Sequence, residues 1–137
     1  MNELHDSYSD FEVLAFPCNQ FGQQEPGGSG SEILNGILHV RPGNGFKPNF
    51  TIFRKIEVNG NNQHPLYKYL KSFCPATRQS FMPVDKLDYS PLKPDDIRWN
   101  WEKFLITKNG KPYMRYDAQT DPGEIQNDIV FLLQQES

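Results

Sequence analysis

At 137 residues, with 36% hydrophobic and 13% aromatic residues, the chain has enough apolar material for one globular domain, residues 1-137, with a core. A formal net charge of -3 without any block of like charges gives no electrostatic footprint for nucleic acid or an anionic membrane, and no apolar run approaches membrane-spanning length. Cys18 and Cys74 cannot make a disulfide scaffold and have no CxxC or zinc spacing. His5, His39 and His64 are too scattered to suggest ligands, so no metal site is expected.

In chain order, Met1 to Tyr8 reads as the last turns of an amphipathic helix, with Leu4 and Tyr8 at i and i+4 and no N-cap in front. The segment begins as if in mid-element, with neither a cationic nor an apolar leader. Phe11 to Phe16 is an apolar run of strand type. It is followed by Pro17-Cys18-Asn19-Gln20-Phe21-Gly22-Gln23-Gln24-Glu25-Pro26-Gly27, a loop rich in amides, Pro and Gly at the strand's carboxyl end, where open α/β sheets place their chemistry. Within it Asn19 and Gln20 read as bracing amides, and Gly22 and Gly27 as backbone conformations closed to other residues. Ser29 to Val40 reads as a helix, with capping-box spacing between Ser29 and Glu32 and with Ile33, Ile37 and Val40 on one face.

Phe50 to Phe53 with Ile56 and Val58 predicts an extended piece closed by an Asn59-Gly60 turn. A helix follows from Pro65, with Leu66, Tyr69, Leu70 and Phe73 on its apolar face. Cys74 to Pro94, rich in Pro, Ser and Asp without periodicity, reads as a long surface loop used for binding or assembly. Trp101 to Thr107 and Lys111 to Tyr116 flank Lys108-Asn109-Gly110, an antiparallel hairpin with an Asn-Gly turn. Asp121-Pro122 caps a last helix that buries Ile125, Ile129, Leu132 and Leu133.

The loop from Phe16 to Gly27, together with Trp99-Asn100-Trp101-Glu102-Lys103-Phe104-Leu105, closely resembles the glutathione peroxidase family, whose signatures are FPCNQFG-x-QEPG and WN-aromatic-EKFL. The resemblance implies an α/β, thioredoxin-like fold of glutathione peroxidase type, here without the N-terminal strand and nucleophile loop. It also implies reduction of hydrogen peroxide and small organic hydroperoxides by glutathione, in antioxidant defence. A peroxidatic thiolate or selenolate needs neutral donors to hold it ionised. The side-chain amides of Gln24 and Asn100 and the indole N–H of Trp99 have that character and match the family's non-nucleophile catalytic residues.

In that family the nucleophile is a selenocysteine or cysteine on a loop that this sequence lacks, and Cys18 is a poor substitute because no Lys, Arg or His adjoins it. Pro42 to Phe53, where thioredoxin-dependent relatives keep a resolving cysteine, contains none, so glutathione is the implied co-substrate and no other cofactor is expected. Arg41 and Arg115 match positions linked to glutathione carboxylates, with ordinary surface arginines as the competing reading. Cys74 to Pro94 is similar to the assembly loop of tetrameric members, and Val40-Arg41-Pro42-Gly43 with Pro48-Asn49-Phe50 to the secreted, plasma-type subgroup. The full-length form is therefore expected to be a secreted homotetramer, with a cytoplasmic location as the alternative. Without the first strand, two apolar sheet edges would stand unpaired, which predicts poor folding or self-association. The contrasting reading is a catalytically silent thioredoxin-like binding or regulatory module.

Overall fold

The computed structural model describes residues 1–135. Its elements are α1 (Asn2–Ser7), β1 (Leu14–Ala15), α2 (Gly30–His39), β2 (Thr51–Ile52), α3 (Pro65–Phe73), β3 (Lys103–Ile106), β4 (Pro112–Tyr116) and α4 (Gln126–Leu133). Single 3-10 turns lie at Val84–Lys86 and Pro122–Ile125. The order matches the mixed α/β layout read from the sequence, but the strands are shorter. Of the apolar run from Phe11 to Phe16 only Leu14 and Ala15 form a ladder, parallel to Thr51 and Ile52. That ladder continues as single bonds from Phe53 N–H to Ala15 O (2.8 Å) and from Ile56 N–H to Pro17 O (2.9 Å), which carry the chain straight into the amide-rich loop.

β1 and β2 form one two-stranded sheet, and β3 and β4 form a second. Each strand is thus paired on one edge only, and Leu14 is 54% exposed where a buried strand was expected. The hairpin forms as anticipated: Gly110 takes φ 81, its N–H donates to Thr107 O at 2.9 Å, and Pro112 enters at an irregularity between Leu105 and Ile106, where a lost ladder donor costs least.

The helix termini follow the sequence chemistry. Ser29 Oγ accepts from Glu32 N–H at 3.3 Å, and Glu32 reaches back to Gly28 N–H at 2.6 Å. His64 Nδ1 accepts from Leu66 N–H ahead of α3, with Pro65 in its first turn. Asp121 N–H donates to Glu124 Oε2 at 2.7 Å before α4. The face of α3 differs from its expected one: Tyr69 and Phe73 are largely exposed, whereas Leu70 and Lys71 are buried. Lys71 turns inward because its ammonium finds Val58 O at 2.7 Å and Asn59 Oδ1 at 3.2 Å. α2 likewise buries Ile33 but leaves Val40 exposed past its end.

Two cores result. One gathers Leu4, Leu105, Ile125 and Ile129, with Tyr8, Phe11, Leu132 and Leu133 around them, and joins α1 to the hairpin and α4. The other gathers Phe21, Val58, Leu87 and Ile97, with Ile56, Tyr67, Phe81, Trp99 and Phe104, and lies directly beneath the amide-rich loop.

Candidate active site

The loop after β1 is held by amides that reach across the chain. Buried Gln20 accepts through Oε1 from Val58 N–H (3.0 Å) and Asn59 N–H (3.1 Å), and its Nε2 donates to Asn59 O at 3.0 Å. Asn59, 1% exposed, passes the connection on: its Nδ2 donates to Ile97 O and its Oδ1 accepts from Ile97 N–H, both at 2.8 Å. One side-chain amide after another therefore ties the signature loop to the segment ahead of Trp99. Each buried peptide group gains a partner that water would otherwise supply. Asn19 Oδ1 accepts from Glu25 N–H at 3.0 Å, which folds the loop back on itself.

The long segment after Cys74, expected as a surface loop, forms the other wall of this bed. Gly22 N–H donates to Lys86 O (2.7 Å), Asp88 N–H donates to Gln20 O (2.9 Å), and Phe21 pairs with Leu87. Gly22 takes φ 65, and a Cβ there would lie 3.2 Å from the Trp99 ring, so both the turn and the indole contact require glycine. Gly27 is constrained differently from the conformational role expected of it. Its φ is ordinary, and it is the backbone and side chain of Ile33, 3.0 Å from a would-be Cβ, that exclude a larger residue.

These contacts bring Gln24, Trp99 and Asn100 together. Asn100 Nδ2 donates to Phe21 O at 3.2 Å and to Gln24 Oε1 at 3.1 Å, so both of its N–H hydrogens have acceptors. Gln24 Oε1 is occupied by that bond, and its Nε2 has no acceptor among the described residues. Trp99 packs its ring on Gly22 and lies 5.8 Å from Phe21, centroid to centroid. Its indole N–H likewise has no acceptor among the described residues. The arrangement therefore presents two unspent neutral donors, while Asn100 orients the first of them. Neither of two clefts of about 530 and 500 Å³, which lie along Thr77–Phe81, Leu92–Pro94 and Asp117–Glu124, is lined by these three residues.

The arginines separate. Arg41 is exposed beyond α2. Arg115 is not a surface residue, which corrects its expected part in binding a carboxylate from solution. Its Nε donates to Glu102 Oε2 at 2.8 Å, with both side chains 1% exposed, and its terminal nitrogens donate to the carbonyls of Cys74, Asp95 and Asp96. Burial of that ion pair leaves no face for a ligand. Arg98 behaves similarly, donating to Ser80 O, Asp96 O and Pro94 O and lying 4.0 Å over the Phe81 ring. Sequence reading missed Asn59, Lys71, Arg98 and Glu102 as site supports. The signal available was that each directly follows an apolar residue, Val58, Leu70, Ile97 and Trp101.

Neither thiol is poised for attack. Burial pushes the Cys18 thiol above its ordinary pKa, and its S–H donates to Gln20 Oε1 at 3.4 Å, a bond that favours the protonated form. Burial also raises the pKa of Cys74. Among the described residues no cluster of three or more His, Cys, Asp or Glu could hold a metal ion, and no helix is long and apolar enough to cross a membrane.

The family model described as glutathione peroxidase matches residues 1–71, and the chain belongs to that family. It is 47% identical to glutathione peroxidase 6 of Rattus norvegicus, over 98% of this chain and 62% of that protein. It is 43% identical to the epididymal secretory glutathione peroxidase of the same organism, again over 98% of this chain and 62% of the relative. The chain thus spans 62% of the length of these two curated relatives. The crystal structure of Trgpx in apo form superimposes with a TM-score of 0.65 at 34% identity, covering 97% of this chain and 65% of that one. The fold is accordingly the thioredoxin-like α/β fold of the glutathione peroxidases.

Proposed function

We propose that this chain carries the donor half of a peroxidase site that reduces hydrogen peroxide and small organic hydroperoxides at the expense of glutathione, in defence against oxidative stress. The observation that carries the reading is the pair of neutral donors without an acceptor among the described residues, Gln24 Nε2 and Trp99 Nε1, on side chains that both approach Gly22, with Gln24 held by Asn100. Neutral donors stabilise an anion without taking its proton, so they favour a thiolate or selenolate and the charge that develops as the O–O bond breaks. The nucleophile, a selenocysteine or cysteine, is contributed by neither Cys18 nor Cys74. It attacks one peroxide oxygen, the other oxygen leaves with a proton as water or alcohol, and the resulting selenenic or sulfenic acid is returned by two thiols through a mixed disulfide.

Exposed Arg41 is the guanidinium available to a glutathione carboxylate. Met82, Val84 and Leu92 of the long loop are exposed apolar residues, which supports a homotetramer built through that loop. The secretory relative supports an extracellular location for the full-length form. The test is hydroperoxide-dependent glutathione oxidation by the full-length protein, coupled to NADPH consumption. Gln24→Ala and Trp99→Phe should each slow turnover by about two orders of magnitude while the fold is kept. Rates within two-fold of wild type for both variants would overturn the assignment.

A further inference from the structure

Glu102 takes no part in the donor chemistry, yet it holds the segment that supplies half of it. Its two carboxylate oxygens have separate tasks. Oε1 accepts from Arg98 N–H at 2.6 Å and so bridges, end to end, the turn that contains Trp99 and Asn100. Oε2 accepts from Arg115 Nε at 2.8 Å, and both side chains of that pair are 1% exposed. Arg115 lies on β4 opposite Phe104 of β3, so the same carboxylate that closes the turn also fastens it to the hairpin. Asp96 O accepts from Arg98 at 2.6 Å and from Arg115 at 2.9 Å, which ties the entry of the turn to the same guanidinium.

Inside the closed turn Trp101 takes φ 73, a left-handed backbone that costs a bulky residue energy and persists only where the surroundings over-determine it. Glu102 supplies that constraint, since its bond to Arg98 N–H draws residues 98 and 102 together around the reversal. Without the bond, relaxation at Trp101 would swing Trp99 and Asn100 on the same short piece of backbone. The donors have little slack for such a shift. Asn100 Nδ2 meets Phe21 O at 3.2 Å and Gln24 Oε1 at 3.1 Å, at the long end of the range for N–H···O bonds, and the Trp99 ring lies 3.2 Å from a would-be Cβ on Gly22.

The structure assigns Glu102 as a positioning residue of the peroxide-reducing step: through its bond to Arg98 N–H it sets the backbone from which Trp99 presents its indole and Asn100 orients Gln24. It touches neither substrate nor the reacting anion. This inference rests on the peroxidase reading and adds to it that the donors are aligned from the hairpin side, by a buried carboxylate, as well as by the amides beneath the signature loop.

Two double variants of the full-length protein separate the bond from the ion pair. Glu102→Gln with Arg115→Met removes both charges but keeps an acceptor for Arg98 N–H. Glu102→Met with Arg115→Met removes the acceptor too, and neither combination leaves a buried charge unpaired. In a two-stage reaction, kcat/KM for the hydroperoxide reports oxidation of the nucleophile, and kcat/KM for glutathione reports its reduction. The first double variant should stay within about three-fold of wild type in both constants. The second should lose about ten-fold in the hydroperoxide constant and keep the glutathione constant. Glu102→Asp keeps the charge but shortens its reach by one methylene, and the same selective loss is expected of it should the second double variant not fold. A role in folding alone would lower both constants by one factor, or neither, and either pattern would overturn the inference. So would hydroperoxide constants that are equal in the two double variants. A spectroscopic arm needs no turnover: with isotope-labelled tryptophan, the Trp99 indole N–H signal, identified by its absence in Trp99→Phe, should keep its position in the first double variant and shift or broaden in the second. Absence of turnover by the wild-type protein would sink the peroxidase reading itself, and an indole signal alike in the two double variants would overturn the positioning of Trp99 on its own.

Discussion

The core beneath the signature loop and the core joining α1, the hairpin and α4 are of similar size but are built on different principles. The second is apolar and local in logic: Ile125 and Ile129 come from one helical stripe, Leu105 from a hairpin with a standard turn, and their packing needs no polar partner. The first has apolar residues only as a floor. Above them Gln20, Asn59, Lys71, Asp96 and Arg98 are all buried; Gln20, Asn59 and Lys71 bond peptide groups distant in sequence, while Asp96 and Arg98 fasten their own turn to within four residues and Arg98 also reaches Ser80 O. The lesson is that a loop which must hold donors to within a fraction of an ångström is fastened by directional bonds, whereas a unit that only closes the fold is filled by volume.

That contrast can be broken experimentally. The largest effect should come at the joint between the two regions, where Arg115→Met strands Glu102 as a buried, unpaired carboxylate and should cost about 4 kcal/mol in denaturant unfolding. Next, Asn59→Leu keeps the branching and heavy-atom count of the side chain but orphans Ile97 N–H and Ile97 O and leaves the Lys71 ammonium with Val58 O alone, and should cost about 3 kcal/mol. If the loop bed were held by volume alone, that swap would be almost silent. In the apolar core, Ile129→Val removes one methylene and should cost about 1 kcal/mol, a loss graded by cavity size.

The smallest effect is electrostatic. The Arg78 guanidinium bonded to Asp117 at 2.8 Å holds that carboxyl down to about 2. A depressed folded-state pKa contributes stability that is complete above the ordinary carboxylate value and is lost as pH falls from about 4 toward 2. Because Arg78 is 34% exposed, solvent screening limits the loss to no more than about 1 kcal/mol. Comparing unfolding free energies of wild type and Asp117→Asn across that window checks the sign: the variant should lack this part of the acid dependence.

The same contrast explains what could be read in advance. The hairpin, the cap at Asp121 and the stripe on α4 were legible because they depend on spacing within one element. The donors Gln24, Trp99 and Asn100 were legible through the family signature, and their convergence rests on partners such as Phe21 and Gln24, far from Asn100 in the chain. Arg115 was read as a partner of glutathione carboxylates and Lys71 was not singled out, because their partners include carbonyls of Cys74, Asp95, Asp96 and Val58, and a carbonyl leaves no trace in the side-chain pattern. The run from Phe11 to Phe16 was read as a full strand on composition, yet a ladder requires a partner edge, and Thr51–Ile52 supplies only two residues of one.

The central claim is that Asn100 acts through Gln24 and does not itself donate to the reacting anion. A double-mutant cycle on peroxide turnover by the full-length protein tests it most directly, using Gln24→Ala, Asn100→Ala and the pair. Strong non-additivity is expected, with the double variant no slower than Gln24→Ala alone. Multiplying rate losses would show that Asn100 makes its own contact with the reacting group and would contradict the account.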